Sequence, residues 1–308
     1  MSTADDPATA PAATAHRAFS IARVGAIVSN TLLELVRLKV FYFLLIFALL
    51  MIGSSALTSK LSFQGQFQML KDVSLGAMSI FSWLLAVLAT AMLLPKDIED
   101  RTLYTILAKP VPRFEYLLGK LLGVFALLFI AVSFMSAMFV VVLYVREQGA
   151  LREAVHGLAP GPVMDAAIAE VRAATFSMNL IPGILLIYVK AALCASLTLL
   201  LSTFATSSIF TIIVSVVVYL IGHVQPIARE YWLASQRLGG EAVGAGTKLF
   251  LALTSLIFPD LTAFNLVDDI VAGNAIALTL FLKTAALGGT YVAVYFLLGY
   301  LMFSAKEL

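Results

Sequence analysis

One segment of the sequence gathers charged and polar side chains on what reads as a short helix, from Asp97 to Lys109. Acidic residues begin it, a lysine ends it, and two prolines follow. Acids near a helix start and cations near its end are stabilised by the helix dipole, and proline stops the helix. Such a charged helix between two apolar stretches is suited to contacting a soluble partner. The candidate contact residues in this segment and just after it are Asp97, Glu99, Asp100, Arg101, Thr102, Tyr104 and Arg113. The alternative is that they are solvated loop groups without a partner protein.

Catalytic motifs are missing from the sequence. It contains no His-Glu-x-x-His, Gly-x-Ser-x-Gly or Cys-x-x-Cys pattern, and no Walker A motif. The single cysteine, Cys194, excludes a disulfide framework and a multi-cysteine metal site. We therefore expect a non-catalytic subunit that binds no cofactor or metal directly. If the protein depends on ATP, a separate chain must hydrolyse it.

The elements that position the charged segment follow from a very apolar composition. Of the 308 residues, 61% are hydrophobic and only 12% are charged, whereas soluble domains carry about 25% charged residues. This composition excludes a soluble enzyme and a disordered chain. The formal net charge of +2 gives no reason to expect a nucleic-acid partner.

Charged residues leave gaps that are long enough to cross a bilayer. The charge-free gaps cover residues 40–59, 73–95, 121–145, 191–228 and 284–305. Because about 20 apolar residues cross the hydrocarbon core, four gaps fit one crossing each. The remaining gap, 191–228, is long enough for two crossings with a bend at Ala205–Ser208. The apolar runs do not alternate, which excludes a β-barrel. We predict an all-α membrane protein with six transmembrane helices, near residues 40–57, 74–94, 119–144, 181–203, 208–224 and 285–303.

The segments outside these spans differ in character. Residues 1–17 are predicted to be a disordered tail, and residues 18–308 a single transmembrane domain. Ala18–Lys39 is predicted to be an amphipathic helix on the membrane surface, with a long start of the first span as the alternative. Leu249–Pro259 and Ile270–Leu282 are too short to cross and indicate re-entrant or interfacial segments. Basic residues near the span ends place both termini in the cytoplasm, with the protein in the cell membrane (in bacteria the inner membrane).

Two features inside the spans suggest specific contacts. Lys190 is the only charge well inside a predicted span. It is either a cation on a pathway or dimer interface, or a lysine that snorkels or is paired within the bundle. Gly119 and Gly123 have the spacing of a close helix contact, although flexibility at the start of a span would also explain them.

The charged segment resembles the permease subunits of type-2 ABC exporters. That family's pattern is Glu-x-x-Thr-Leu, then Leu-x-x-Pro, Arg and Leu-Gly-Lys. The matching residues here are Glu99, Thr102, Leu103, Leu107, Pro110, Arg113, Leu118, Gly119 and Lys120, with Arg101 where glycine is usual. Phe258–Asn265 resembles the family's Pro-Asn-Leu-x-x-Phe-Asn segment, and Phe303–Leu308 resembles its Phe-x-x-Lys-acid ending.

The resemblance implies a permease that pairs with a second permease subunit, as a homodimer or heterodimer. It also implies separate nucleotide-binding ATPase subunits that hold ATP and magnesium and receive the charged helix as a coupling helix. Two other classes stay open. One is a membrane anchor or force transmitter that couples the ATPase to an extracytoplasmic partner. The other is a membrane-embedded enzyme, which the missing catalytic motifs disfavour.

Overall fold

The fold is a bundle of helices. The computed structural model describes residues 19–58, 65–99, 112–156, 161–177, 179–205, 207–237, 259–272 and 276–305, and no strand occurs within these ranges. The helices are α1 Ile21–Val36, α2 Lys39–Thr58, α3 Gln66–Ala91, α4 Leu93–Glu99, α5 Arg113–Val155, α6 Pro162–Thr175, α7 Leu180–Phe204, α8 Ser208–Arg237, α9 Val267–Ala272 and α10 Leu278–Ala305. A 3-10 turn, Thr262–Phe264, precedes α9.

The all-helical membrane class is confirmed. Among the described residues, five helical stretches are long and apolar enough to cross a membrane: α2, α3 with α4, α5, the stretch that ends in α7, and α10. The predicted span at 208–224 forms the apolar part of α8, which is shorter at 17 residues. The predicted bend at Ala205–Ser208 coincides with the interruption between α7 and α8.

Helix α7 lies at the centre of the bundle and packs mainly against α3 and α10. Most of its side chains from Lys190 to Leu199 are buried. Helices α2, α8 and α10 turn large apolar side chains outward, including Phe43, Ile209 and Leu301. A soluble protein would not expose so much apolar surface, so these faces are suited to contact with lipid.

Helix α5 is much longer than the predicted span 119–144. It has 43 residues, or roughly 64 Å at 1.5 Å per residue, about twice the hydrocarbon thickness. The charged residues that follow Val145 do not end the helix, because the amphipathic α6 packs against this extension. The loop predicted between the third and fourth spans therefore contains a helix of its own, α6.

The structure describes only part of the two predicted outer segments, Leu249–Pro259 and Ile270–Leu282. Leu249–Phe258 lies outside the described residues. Ile270–Leu282 does not form one continuous helix. Ile270 belongs to α9, and Leu278–Leu282 forms the start of α10. Of the motif Phe258–Asn265, the described part packs into the bundle. The Asp260 carboxylate caps the 3-10 turn by accepting hydrogen bonds from Thr262 and Ala263, and Phe264 is buried against α10.

Candidate functional site

The candidate site is the end of the bundle where α1, α4 and the first turns of α5 meet, which we call the α1 end. The sequence predicts that α1 is separate from the first span, and the structure does end α1 at Val36 and begin α2 at Lys39, with Arg37 and Leu38 between them. Helix α1 packs against α5 more extensively than against α2. Its position on the membrane surface stays a prediction.

Two glycines let α1 approach α5 closely. A Cβ atom added to Gly119 would lie 2.6 Å from the Ile27 side chain, and one added to Gly123 would lie 2.7 Å from Thr31. The contacts advance by four residues on both helices, so α1 runs parallel to the first turns of α5. The predicted close contact at Gly119-x-x-x-Gly123 is therefore confirmed, and its partner is α1.

We expect opposite effects from adding a methyl group at two glycines of α5. Gly123→Ala should lower the free energy of unfolding of the purified protein by about 1–3 kcal/mol, because the added methyl group overpacks the contact with Thr31. Gly149→Ala is the matched control, since nothing lies within 4 Å of its added Cβ, and alanine is the better helix former by up to about 1 kcal/mol. Equal melting temperatures for both variants would show that α1 does not pack closely on α5.

The first link between these helices is a buried carboxylate. Glu115 on α5 is 1% exposed. Its two oxygens accept hydrogen bonds from Arg23 Nε at 2.6 Å and Arg23 Nη2 at 2.7 Å, a bidentate geometry that favours strong pairing. The backbone N–H of Ser20 also donates to Glu115 at 2.9 Å. The start of α1 is thereby fixed to the first turn of α5.

The second link joins α4 to α5. Asp97 on α4 is only 7% exposed, and its Oδ2 lies 2.7 Å from Lys120 Nζ. The same oxygen accepts a short hydrogen bond from the Tyr116 hydroxyl. The sequence pattern suggested that Asp97 would face a partner, but the structure turns it inward. Asp97 therefore anchors the start of the charged segment to α5.

Glu34 on α1 completes the network. Its carboxylate lies 3.0 Å from Lys96 Nζ on α4 and 3.5 Å from Lys120 Nζ on α5, so it bridges three helices. Burial would raise the pKa of Glu34, but attraction and hydrogen bonding from Lys120 and Lys96 outweigh burial and hold the pKa below its ordinary value. Glu34 is thus ionised at neutral pH. We call the set Arg23, Glu34, Lys96, Asp97, Glu115, Tyr116 and Lys120 the coupling network.

Arg113 ties the same region to the end of α10. Its Nη1 donates hydrogen bonds to the carbonyl oxygens of Phe303 and Ser304 at 3.1 and 3.0 Å. These carbonyls belong to the last described turn of α10, so the contact joins the start of α5 to that turn. Two separate parts of the sequence resemblance, at Arg113 and at Phe303, are therefore in direct contact.

Most of the remaining predicted contact residues fall in a part of the chain that the structure does not describe. Asp100, Arg101, Thr102 and Tyr104 lie outside the described residues, and so does most of the predicted helix Asp97–Lys109. Glu99 is the last residue of α4. The backbone from Leu93 to Glu99 thus leads out of the coupling network directly into the segment with the strongest motif match.

Sequence reasoning did not find the pairs of the coupling network. Arg23 and Glu34 lie on the polar face of the predicted amphipathic helix Ala18–Lys39. Glu115 and Lys120, which flank Gly119 on another predicted helix, carry the charges that could pair with this face. They are the sequence signal that the polar face of α1 contacts protein. A polar face next to two small residues can be buried if each charge has a partner.

Lys190 lies away from this end, within the packing of α7 and α8. It is 4% exposed, and its Nζ is 3.3 Å from His223 Nε2 and 5.7 Å from the centre of the Tyr219 ring. This placement is the paired arrangement that was one of the two alternatives for Lys190. His223 was not predicted as its partner, because 33 residues separate the two in sequence.

Comparison with known proteins decides the family. Residues 26–308 match the family model described as ABC-2 family transporter protein. The chain belongs to this family. A search of curated proteins gave no significant match.

Membership of the ABC-2 transporter family confirms the resemblance drawn from the charged segment. The chain is a multi-pass membrane permease subunit of an ABC transporter, and the family implies association with ABC ATPase subunits. The match begins inside α1 and runs through the charged segment to Leu308, so every residue of the coupling network except Arg23 lies within it.

Proposed function

We propose that this chain is the permease subunit of an ATP-driven exporter. It pairs with a second permease subunit and with separate ATPase subunits that bind ATP and magnesium. The observation that supports this role best is the buried attachment of α4 to α5 through Asp97, Tyr116 and Lys120. A helix segment held by buried ion pairs can pass on a displacement, because packed interfaces switch between arrangements rather than deform continuously.

In this proposal the segment that follows α4 receives the movement of the ATPase. Glu99, Asp100, Arg101, Thr102 and Tyr104 contact the ATPase, while Asp97 positions the segment. Arg113 fixes the end of α10, so that α1, α5 and α10 move together with α4. ATP hydrolysis in the partner chain would thereby change how the spans pack.

The orientation and the span count belong to the same proposal. The α1 end faces the cytoplasm, because basic residues concentrate there near the span ends. Both termini are then cytoplasmic, and the protein lies in the cell membrane. The apolar part of α8, Ser208–Val224, is the fifth of six crossings. Its 17 residues extend about 26 Å, slightly less than the usual hydrocarbon thickness.

Charge reversal in the coupling segment tests this function. We expect Glu99→Lys or Arg101→Glu to leave the permease inserted and dimeric, because spans are held by packing in the lipid phase. Copurification of the ATPase, or its stimulation by the permease, should fall about 30-fold or more, since losing one desolvated charge partner costs about 2–5 kcal/mol.

The control for these variants is Asp6→Lys, a charge reversal of the same kind in the N-terminal tail, which should change neither binding nor stimulation. ATPase binding and stimulation at parental levels in both loop variants would remove Glu99 and Arg101 from the coupling contact.

A force transmitter without solute transport is the second candidate. The observation that favours it is the extension of α5 beyond its predicted span together with the packing of α6 against it. This helical pair offers a docking surface for an extracytoplasmic partner. Substrate-stimulated ATPase activity of the complete complex in liposomes would support transport. Stimulation by a copurified outer protein alone would support force transmission.

A further inference from the structure

A cleft opens at the end of the bundle opposite to the coupling network. It has a volume of about 810 Å³, which is within the range of small-molecule sites, about 300–1,000 Å³. The start of α3, the end of α5, the end of α6 and α9 form its walls. Its polar and charged lining residues are Gln66, Gln68, Lys71, Glu153, Glu170 and Ser177.

Lys71 is the buried cation of this cleft. Its side chain is 3% exposed, and its Nζ donates one hydrogen bond to the Ala174 carbonyl oxygen at 2.9 Å. Within the described part of the chain it forms no ion pair. An ammonium group carries three donors, and burying it without a negative partner is costly. The cleft therefore presents a cation that an anionic group of a ligand would neutralise.

Two carboxylates line the same cleft. Glu153 comes from the end of α5 and Glu170 from α6, and both are exposed. Neither makes an ion pair with any residue that the structure describes. One buried cation and two carboxylates favour a ligand with a negative and a positive group, and they disfavour a ligand that is only anionic.

The cleft also has an apolar wall, and its depth relative to the predicted membrane follows from the sequence. Phe67, Val171 and Val271 line it together with several alanines. Lys71 stands next to the charge-free gap that begins at residue 73, so the cleft lies where the hydrocarbon core is expected to meet water. Zwitterionic lipid headgroups occupy that level of a bilayer.

We propose that this cleft binds the headgroup of a zwitterionic phospholipid. A phosphate oxygen accepts hydrogen bonds from Lys71 Nζ, and the amine of the headgroup donates to Glu153 and Glu170. The apolar wall contacts the glycerol and the first acyl carbons. This site lies at the opposite end of the bundle from the coupling network, and it shares no residue with the proposed ATPase contact.

Lipid titration of the purified full-length protein, followed by native mass spectrometry, tests the proposal. We expect phosphatidylethanolamine to bind about tenfold or more tightly than phosphatidylglycerol. Lys71→Met should weaken phosphatidylethanolamine binding by about tenfold, the effect of losing a charge-assisted hydrogen bond. Glu153→Gln with Glu170→Gln should remove the preference, because the carboxylates no longer attract the amine or repel the anionic lipid.

The matched control is Asp72→Asn with Asp165→Asn, which removes two exposed carboxylates that do not line the cleft and should leave the preference intact. If Lys71→Met fails to fold, the double glutamine variant still tests the lipid preference. Glu153 and Glu170 are exposed, so their replacement should not disturb folding. Equal binding of both lipids by the parent protein would overturn the proposal, and so would an unchanged preference in the double glutamine variant. Equally tight binding of soluble glycerophosphoethanolamine would overturn the assignment to a lipid.

Discussion

Replacing His223 by phenylalanine is expected to destabilise the protein more than replacing its partner Lys190 by methionine. The His223 Nδ1 atom lies 3.1 Å from the Tyr219 carbonyl oxygen. A carbonyl oxygen only accepts hydrogen bonds, so Nδ1 carries the proton and Nε2 accepts from the Lys190 ammonium. His223→Phe leaves that ammonium buried without its acceptor, which costs about 3 kcal/mol or more because the unsatisfied donor is charged. Lys190→Met leaves only a neutral acceptor unpaired, at about 1–3 kcal/mol.

Thermal unfolding in detergent measures this difference. The double variant Lys190→Met with His223→Phe should be more stable than His223→Phe alone, because it removes the stranded charge. His156→Phe, at an exposed histidine, is the control and should change little. The pairing would be refuted if Lys190→Met were the more damaging single change. Normal stability of Lys190→Met with lost transport would place Lys190 on the transport pathway.

Lys120→Met should give the second large effect, at the α1 end. Lys120 is 3% exposed and lies between the carboxylates of Asp97 and Glu34. Without Lys120, the two carboxylates stay close together and lose the positive charge between them. This should lower the free energy of unfolding by about 3–5 kcal/mol. Since α4 is attached to α5 through this lysine, we also expect the permease to lose its stimulation of the ATPase.

Lys96→Met is the matched control, because Lys96 also pairs with Glu34 but its side chain is 41% exposed. An exposed pair contributes about 0–1 kcal/mol, so this variant should unfold near the parental temperature. Adding Asp97→Asn to Lys120→Met should recover part of the loss. If Lys120→Met and Lys96→Met melt at the same temperature, the network does not hold α4 in place.

Much of the fold was predictable because charge is so costly in a bilayer. Charged residues mark the apolar stretches, and five of them correspond to long helices. The separation of α1 from α2 and the interruption after Phe204 followed from composition and from the change from apolar to small polar residues. The glycine contact at Gly119 and Gly123 followed from spacing alone, although the spacing did not name α1 as the partner.

The rest depended on tertiary pairing, which local sequence does not encode. Asp97 looked like part of an exposed charged helix, but Lys120 is 23 positions away and neutralises it in the interior. The length of α5 was missed because a hydropathy pattern shows where apolar residues stop, not where the helix stops. His223 looked like an isolated histidine until α8 was placed against α7.

The uninterrupted length of α5 has a mechanical consequence. No proline or other kinking residue pair interrupts its sequence from Arg113 to Val155, so the helix behaves as one stiff rod. Its first turns carry Glu115 and Lys120, and its last turns carry Glu153. A tilt of about 5° around the first turns would move the far end of a rod of roughly 64 Å by about 6 Å. A small rotation imposed at one membrane face would therefore open or narrow the cleft at the other.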